Sequence, residues 1–288
     1  MFLEENTVSK IKITVDSTCD LGDVLMERYN IDYSPLYVTL GEKSLKDTLE
    51  VTPDDIYKFV DENKILPKTS AGTIEDYTKF FSKFVNEGYE VIHICISSDM
   101  SCTFQNACIA AEEIGNCYVI DSKNLSTGSG HLALLGAELA DEGKSAKEIY
   151  DILNETVPRV RASFIVSVMD YLKMGGRCSA IAAFGANVLK IMPCIEVDDG
   201  KMHPAKKYRG ALSAVLKSYT KDKLSDLQSI DPNRIFITHS GCDEKIVNEI
   251  YNQVKELNYF KNIEITRAGC VITSHCGPGT LGVLFIKK

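Results

Sequence analysis

The chain has 288 residues, of which 44% are hydrophobic and 25% are charged, a composition typical of globular proteins. Its 40 acidic residues outnumber its 32 basic residues, which gives a net charge of −8, and no dense run of Lys or Arg is present. Nucleic-acid binding is therefore disfavoured, because affinity for a phosphate backbone depends on Lys and Arg. The length suffices for two domains with well-formed cores.

Nothing in the sequence indicates secretion or membrane anchoring. The first residues, MFLEENTVSK, lack the basic start and apolar core of a signal peptide, and no apolar run reaches the roughly 20 residues that a spanning helix needs. The ten cysteines include no C-x-x-C pair, so a structural zinc site is disfavoured. We therefore expect a cytoplasmic protein whose cysteines are reduced.

The first half of the chain alternates between predicted strands and helices. Residues 11–15 alternate between apolar and polar side chains, which predicts a strand that ends at Asp16. Thr52 precedes a proline and two acidic residues, a pattern typical of a helix start. Thr73 begins a helix whose apolar residues recur at helical spacing until Gly88. Two further buried strands are predicted over residues 90–97 and 117–121.

The second half continues the alternation. Ser145 and Glu148 form a capping box for a helix that runs to about Val157, and Asp199–Gly200 predicts a hairpin. Strands over 234–239, 262–267 and 281–286 and a helix over 244–257 follow. This alternation predicts a layered α/β fold. A boundary near Pro158–Ala162 would divide the chain into two α/β domains, residues 10–160 and 161–288.

Small hydroxyl residues collect in polar segments that follow strands or precede helices. Because ligands of open α/β sheets bind beyond the carboxyl ends of the strands, these segments are candidates for the rim of a site. They offer hydroxyl, backbone N–H and imidazole donors to an anion, although any single Ser or Thr before a helix is more often a simple helix cap. The segments are Asp16–Thr18, Lys68–Thr73, Ser97–Thr103 and His275–Gly279.

The histidines divide by their surroundings. His93 and His239 fall inside apolar strands and are expected to be structural, and His203 beside the predicted hairpin is expected at the surface. His275 stands next to Gly277–Pro278–Gly279, so we expect it in an irregular loop and treat it as the functional candidate.

One glycine pattern suggests a dinucleotide but does not fit its context. Gly128–Ala133 matches the loose G-x-G-x-x-A pattern, yet a long segment separates it from the preceding strand, and Glu148 lies within a predicted helix. NAD binding is therefore disfavoured. Neither a Walker A sequence nor a G-x-S-x-G elbow is present, and we expect no metal and no cofactor.

A family resemblance rests on eight segments in a fixed order: VDSTCDL at 15–21, KTSAGT at 68–73, ISSDMSCTFQNA at 96–107, DSKNLSTGSG at 121–130, YLKMGGRCS at 171–179, LKIMPCIEVDDGKM at 189–202, KKYRG at 206–210 and HCGPGTLG at 275–282. Together they resemble the DegV family of bacterial fatty-acid-binding proteins, from about Ile11 to Leu284. Any one segment is weak evidence, whereas eight in the right order are specific.

The resemblance implies two α/β domains with a lipid tunnel between or within them, in which residues 10–160 carry the carboxylate-binding loops and residues 161–288 line the acyl tunnel. It implies a non-catalytic carrier that binds a long-chain fatty acid and presents the carboxylate to a separate fatty-acid kinase, which makes the acyl phosphate. The carrier is expected to be a monomer when free and to touch membrane surfaces only transiently.

Site residues follow from the resemblance by motif. The carboxylate would be bound by Thr69, Ser70, Ser101 and His275. A supporting polar loop would comprise Asp16, Ser17, Thr103 and Gly277, and kinase docking would use Arg177 and Arg209.

Two departures from the family pattern bear on ligand choice. Gly72–Thr73 replaces the proline and serine of many members, and Cys102 stands where the family usually has glycine, which leaves the preferred chain length open.

Two other functions also remain open. Ser101, His275 and Asp16 would be the triad of an acyl-ester hydrolase, or His275 would bind a small ketose, as in the related dihydroxyacetone-kinase fold. A third alternative is a regulatory module in which the lipid is only structural.

Overall fold

The computed structural model describes residues 10–178, 180–181 and 191–288. Three parts of the sequence discussed above lie outside these ranges: residues 1–9, which were compared with a signal peptide, residue 179 of the segment 171–179, and residues 189–190 of the segment 189–202. Within them the strands are β1 (Lys10–Asp16), β2 (Asp32–Ser34), β3 (Tyr37–Leu40), β4 (Lys43–Lys46), β5 (Lys68–Ser70), β6 (Tyr89–Cys95), β7 (Cys117–Asp121), β8 (Val160–Ile165), β9 (Ile191–Asp198), β10 (Lys201–Arg209), β11 (Ile230–Ser240), β12 (Asn262–Arg267) and β13 (Thr280–Lys287).

The helices complete the alternation that the sequence predicts. They are α1 (Gly22–Arg28), α2 (Pro53–Asn63), α3 (Ile74–Val85), α4 (Thr103–Ile114), α5 (Thr127–Asp141), α6 (Ala146–Thr156), α7 (Met169–Gly175), α8 (Leu212–Lys223), α9 (Glu244–Glu256) and α10 (Cys270–Cys276). Nowhere in the described ranges is a helix both long enough and apolar enough to cross a membrane.

The first half is built on a parallel four-stranded sheet in the order β2-β1-β6-β7. Its central strands are buried on both faces, as parallel strands covered by helices are. In β6, Val91 and Cys95 pack with α3 and α4, whereas Ile92 and Ile94 face the larger core that contains α5 and α6. This division follows the two-residue period of a strand.

The second half is built on a mixed six-stranded sheet in the order β10-β9-β8-β13-β11-β12. Ile235 and Ile237 of β11 face α8 and α9, and Phe236 faces the other way, into the core that the first half also uses. Helix α5 packs against β1 and against β13, so it lies between the two sheets. It is buried along most of its length, as expected of a helix that is apolar all round.

A small antiparallel sheet, β4-β3-β5, brings the segment at residues 68–70 to the second half. One apolar cluster joins this sheet to α10. It contains Leu36 and Val38, Val51 and Ile56, and Cys270 and Val271 of α10. This cluster fixes α10 against β3 and β5.

Most predicted elements are confirmed. The capping boxes at Thr52, Thr73 and Ser145 are present, and β9 and β10 form the predicted hairpin around Asp199–Gly200. One expectation was wrong: His275 does not lie in a loop, because α10 continues through Cys276 before Gly277 ends it. Lys68–Ser70, where no strand was predicted, forms a short strand through its pairing with β3.

The predicted domain boundary lies next to β8. Val160 begins this strand, which belongs to the second sheet, and the preceding helix α6 packs on the first. The division at residue 160 stays a prediction, since the shared helix α5 joins the two sheets into one core.

Candidate functional site

Helix α10 carries His275 and is anchored at its opposite end by buried carboxylates. Asp20 accepts a hydrogen bond from the Gly269 N–H, and Asp47 accepts one from the Cys270 N–H, both at 2.8 Å. Burial raises the pKa of both Asp20 and Asp47, and their oxygens stabilise the start of the helix by accepting hydrogen bonds from its free N–H groups. Both acids come from the first half of the chain, so they fix α10 relative to that half.

His275 then contacts the small sheet. Its Nε2 lies 2.7 Å from the hydroxyl of Thr69 in β5. Burial lowers the pKa of His275 to about 4, and the positive charge of Arg177 adds to this effect. The imidazole is therefore neutral at pH 7.

Ser101 lies on the loop between β6 and α4. Its hydroxyl is 2.7 Å from that of Thr103 and accepts a hydrogen bond from the Thr103 N–H at 3.2 Å. Thr103 is fully buried, so it supports Ser101 from behind. The exposed Cys102 stands between them.

These polar residues border one pocket with a predominantly apolar wall. Thr69, Ser70, Ser101 and His275 all line it, together with Arg177, and the cavity has a volume of about 50 Å³. The rest of the wall comes from both halves of the chain: Leu36, Ala71, Ile96, Met100, Leu125, Met202, Val271, Ile272 and Cys276.

A second cavity adjoins the first. It has a volume of about 30 Å³ and shares Leu125, Ile272 and Cys276 with the pocket. Its other apolar residues include Phe164 and Leu284 from the second sheet. The shared side chains therefore separate two neighbouring apolar spaces in the core.

Asp16 and Ser17 act on the pocket indirectly. Asp16 accepts hydrogen bonds from the Thr18 N–H at 2.9 Å and the Ile96 N–H at 2.7 Å, and burial raises its pKa to about 6. Ser17 donates to Asp47 at 2.8 Å and accepts from the Leu36 N–H at 3.1 Å. Since Ile96 and Leu36 line the pocket, both residues fix its wall and do not border it themselves.

The remaining predicted residues have distinct places. Gly277 has a φ of +70° and packs against the ring of Tyr171, outside the lining of the pocket. Arg177 donates to the carbonyl oxygens of Gly175 at 2.7 Å and Met100 at 3.3 Å. Arg209 is exposed at the end of β10 and does not line the pocket.

The proposed hydrolase triad is not assembled. Each of its three members is hydrogen-bonded to a residue outside the triad. Ser101 contacts Thr103, His275 contacts Thr69, and Asp16 contacts Thr18 and the Ile96 N–H. A serine nucleophile needs a histidine base that is itself oriented by a third group, and His275 Nδ1 has no hydrogen-bond partner among the described residues. Those residues also contain no group of three His, Cys, Asp or Glu side chains suited to a metal ion.

The glycines of the dinucleotide-like segment have a packing role. Gly128 and Gly130 both lie inside α5, where a Cβ would overlap Asn124 and Leu21, respectively. Close approach of α5 to its neighbours accounts for these glycines without a nucleotide.

Residues that the motifs did not indicate also shape the site. Asp47 gave no signal in the sequence, because its importance arises only when α10 docks on it. Met202 reaches the pocket from the β9–β10 hairpin, whose tip is fixed by a hydrogen bond from Ser97 to the Gly200 carbonyl at 2.8 Å. The hairpin itself was predictable, but its position over the pocket was not.

Comparison with known proteins places this arrangement in a family. A sequence model described as "Uncharacterised protein, DegV family" matches residues 10–288. The chain belongs to the DegV family. A DegV domain-containing protein of Clostridium acetobutylicum is 35% identical over 283 residues, which cover 98% of this chain and 100% of the relative.

Two further DegV relatives carry functional descriptions. A fatty acid-binding protein of Thermotoga maritima is 33% identical over 280 residues, which cover 95% of this chain and 96% of the relative. The solved structure of a DegV family protein from Thermus thermophilus, described for its fatty acid binding, has a TM-score of 0.89 at 29% identity and covers 97% of this chain and 100% of its own. The DegV fold therefore extends over nearly the whole chain.

Proposed function

We propose that this DegV protein binds one long-chain fatty acid, with the acyl chain along the apolar wall and the carboxylate at Thr69, Ser70, Ser101 and His275. The observation that carries the proposal is the meeting of these four polar residues at one apolar pocket. The fatty acid binding described for the Thermotoga and Thermus relatives supports it.

The energetics favour a lipid ligand. A C16 chain buries about 14 methylenes, and at about 0.8 kcal/mol for each the transfer stabilises by roughly 11 kcal/mol before ordering costs. The carboxylate opposes binding, because an unpaired charge is costly to bury. Hydrogen-bond donors that converge on it reduce that cost.

The donors of this site are uncharged apart from Arg177 at its rim. Hydroxyls that a neutral imidazole supports bind a carboxylate without forming the bidentate ion pair that an arginine makes with both oxygens. An oxygen held in this way stays available for phosphoryl transfer. We therefore propose that the chain itself is not an enzyme and presents the carboxylate to a separate ATP-dependent fatty-acid kinase.

Docking of the kinase is assigned to Arg209 and Arg177. Both side chains are exposed, and Arg177 borders the pocket mouth. Arginine suits such a contact because its guanidinium recognises carboxylates and phosphates with fixed geometry. The proposal includes no cofactor. The carrier is proposed to be a monomer when it is not bound to the kinase.

Extraction of the purified protein tests the binding step. Denaturing mass spectrometry of an organic extract should find close to one fatty acid per chain in the wild type and much less in the Ser101→Ala/His275→Ala double variant. The matched control is Ser98→Ala/His203→Ala, whose residues do not line the pocket. An empty wild-type extract, with no uptake after incubation with C14–C18 fatty acids, would contradict the proposal.

A second experiment tests presentation to the kinase. With a fatty-acid kinase and ATP, the loaded wild type should support acyl-phosphate formation, and Arg209→Ala should reduce the rate although its lipid content is unchanged. Hydrolysis of an acyl ester by the purified chain alone, lost in Ser101→Ala, would instead identify a hydrolase.

A further inference from the structure

The close approach of Gly175 to His275 is the most constrained contact at the site. Gly175 ends α7, and a Cβ at this position would overlap Nδ1 of His275 and lie 3.2 Å from its Cε1. Any other residue would therefore displace the imidazole. The glycine hydrogen that takes the place of the Cβ points at Nδ1.

This contact bears on which ring nitrogen carries the proton. A hydrogen on Nδ1 would collide with the glycine hydrogen, whereas an Nδ1 lone pair accommodates a C–H group as a weak donor. Nδ1 is buried and has no hydrogen-bond partner among the described residues. An unsatisfied buried N–H is rarer in proteins than an unsatisfied acceptor. Both arguments favour the tautomer with its proton on Nε2.

The tautomer of His275 determines whether the Thr69 hydroxyl can donate a hydrogen bond to a ligand. When Nε2–H donates to the Thr69 oxygen, 2.7 Å away, the Thr69 hydroxyl proton is free to donate to a ligand. In the opposite tautomer, Nε2 accepts that proton and Thr69 has none left for a carboxylate. The direction of this one hydrogen bond therefore determines whether Thr69 is a donor to the fatty acid.

Neighbouring contacts fix Gly175 in place. Arg177 joins the Gly175 carbonyl to the Met100 carbonyl, next to Ser101. On the other side, a Cβ at Gly277 would lie 2.7 Å from the ring of Tyr171, so α7 and α10 approach closely at a second point. The end of α7 is thus positioned against both the histidine and the serine loop.

We propose that Gly175 is a positioning residue that fixes His275 as the Nε2–H tautomer and so makes Thr69 a donor to the bound carboxylate. The role of Thr69 rests on the proposed fatty-acid binding, but the tautomer does not. The two are therefore tested by separate measurements.

Nitrogen NMR reads the tautomer directly. In protein labelled with ¹⁵N-histidine, with the His275 signals assigned by their loss in His275→Gln, the wild type should show a protonated Nε2 and an unprotonated Nδ1 at pH 7. In Gly175→Ala the signals should move to the averaged pattern of a mobile imidazole. A protonated Nδ1 in the wild type, or an unchanged pattern in Gly175→Ala, would overturn the proposal, whether or not the protein binds lipid.

A double-mutant cycle separates positioning from a general effect on stability. Gly175→Ala should weaken binding of a fluorescent fatty-acid analogue about 10-fold in the wild-type background, a loss of about 1.4 kcal/mol. In a His275→Ala background, where the ring is absent, the same change should cost less than about twofold. An equal loss in both backgrounds would overturn the role assigned to Gly175.

Gly176→Asn is the matched control. Gly176 has a φ of +69°, and a Cβ added there would have no atom within 4 Å; asparagine tolerates this conformation better than most residues. This variant alters the same helix end without touching His275, so its NMR pattern and affinity should match the wild type. If every variant keeps its expected NMR pattern but the wild type binds no fatty acid, the proposed function fails and the positioning of His275 stands.

Discussion

The imidazole of His275 lies 2.7 Å from the hydroxyl of Thr69, although 206 positions separate the two residues in the chain. The contact depends on two independent docking events: β5 pairs with β3, and α10 binds Asp20 and Asp47 through its first N–H groups. Each partner is thus held by elements from the first half of the chain. The polar end of the pocket is a product of tertiary structure, and no local element creates it.

Removal of the Thr69 hydroxyl tests the polar end directly. Thr69→Val keeps the shape of a β-branched side chain in β5 and should weaken fatty-acid binding by about 5- to 15-fold, since a hydrogen bond contributes about 1 to 1.5 kcal/mol. A fluorescent fatty-acid analogue measures the dissociation constant. Thr39→Val is the control, because Thr39 lies in the same small sheet and does not line the pocket. Equal affinities for the two variants would argue against Thr69 as a ligand.

The sequence sufficed to predict most of the regular elements. Thr52, Thr73 and Ser145 begin helices through capping boxes, which depend only on residues three positions apart. Such local signals survive any tertiary arrangement. The same holds for the hairpin at Asp199–Gly200, whose turn has both residues at positive φ.

Long-range contacts explain what the sequence did not reveal. The helix that carries His275 has only seven residues and is followed by Gly277, so its sequence resembles a loop. It becomes a helix because Asp20 and Asp47 satisfy its first N–H groups. Likewise, Lys68–Ser70 is a strand only through its pairing with β3. Motif order indicated the candidate residues, whereas spacing alone could not show that they share a pocket.

The side chains between the two cavities should limit the length of the bound acyl chain, so truncating one of them should change that length. Ile272 lines both the main pocket and the second cavity, so Ile272→Ala should join them and admit a longer acyl chain. We expect the extracted fatty acids to shift by about two or more carbons. The substitution should also cost about 2 to 5 kcal/mol of stability, as large-to-small core changes do.

Val271→Ala is the control for this prediction. Val271 lines the main pocket but not the second cavity, so its truncation enlarges one space without joining the two. Mass spectrometry of both extracts provides the comparison. An unchanged chain-length distribution in Ile272→Ala, in protein that remains folded by circular dichroism, would mean that the acyl chain does not approach this partition.

The tip of the β9–β10 hairpin gives a third prediction. Gly200 has a φ of +81°, and a Cβ there would lie 2.7 Å from Ser97 Oγ and 2.8 Å from Asp99 Oδ2. Gly200→Ala should therefore lower the free energy of unfolding by about 1 to 3 kcal/mol and should weaken lipid binding, because the displaced hairpin carries Met202 of the pocket wall.

Gly143→Ala separates backbone strain from displacement of the hairpin. Gly143 has a φ of +83° with no atom within 4 Å of an added Cβ, so this variant should be destabilised by strain alone and should bind lipid normally. Urea unfolding and ligand titration measure the two effects. Normal lipid binding by Gly200→Ala would show that the position of the hairpin is not needed for the site.

The last prediction concerns the pH dependence of stability through His131. This residue of α5 is buried, donates from Nε2 to the Leu284 carbonyl of β13 at 3.0 Å, and packs edge-on against Phe236. Burial lowers its pKa to about 4. Because the unfolded state takes up a proton near pH 6.5 and the folded state does not, the contribution of His131 to stability is present above pH 6.5 and is lost as the pH falls toward 4.

His131→Gln removes this titration and leaves a side chain that can still donate to the Leu284 carbonyl. As the pH is lowered, the unfolding free energy of the wild type should therefore decrease relative to that of the variant. The decrease should be about 1.4 kcal/mol for each pH unit, or about 2 kcal/mol from pH 6.5 to pH 5. Urea unfolding at a series of pH values measures it. Parallel stability curves for the two proteins would mean that His131 takes up its proton in the folded state as readily as in the unfolded chain, and that α5 and β13 are not joined through a neutral imidazole.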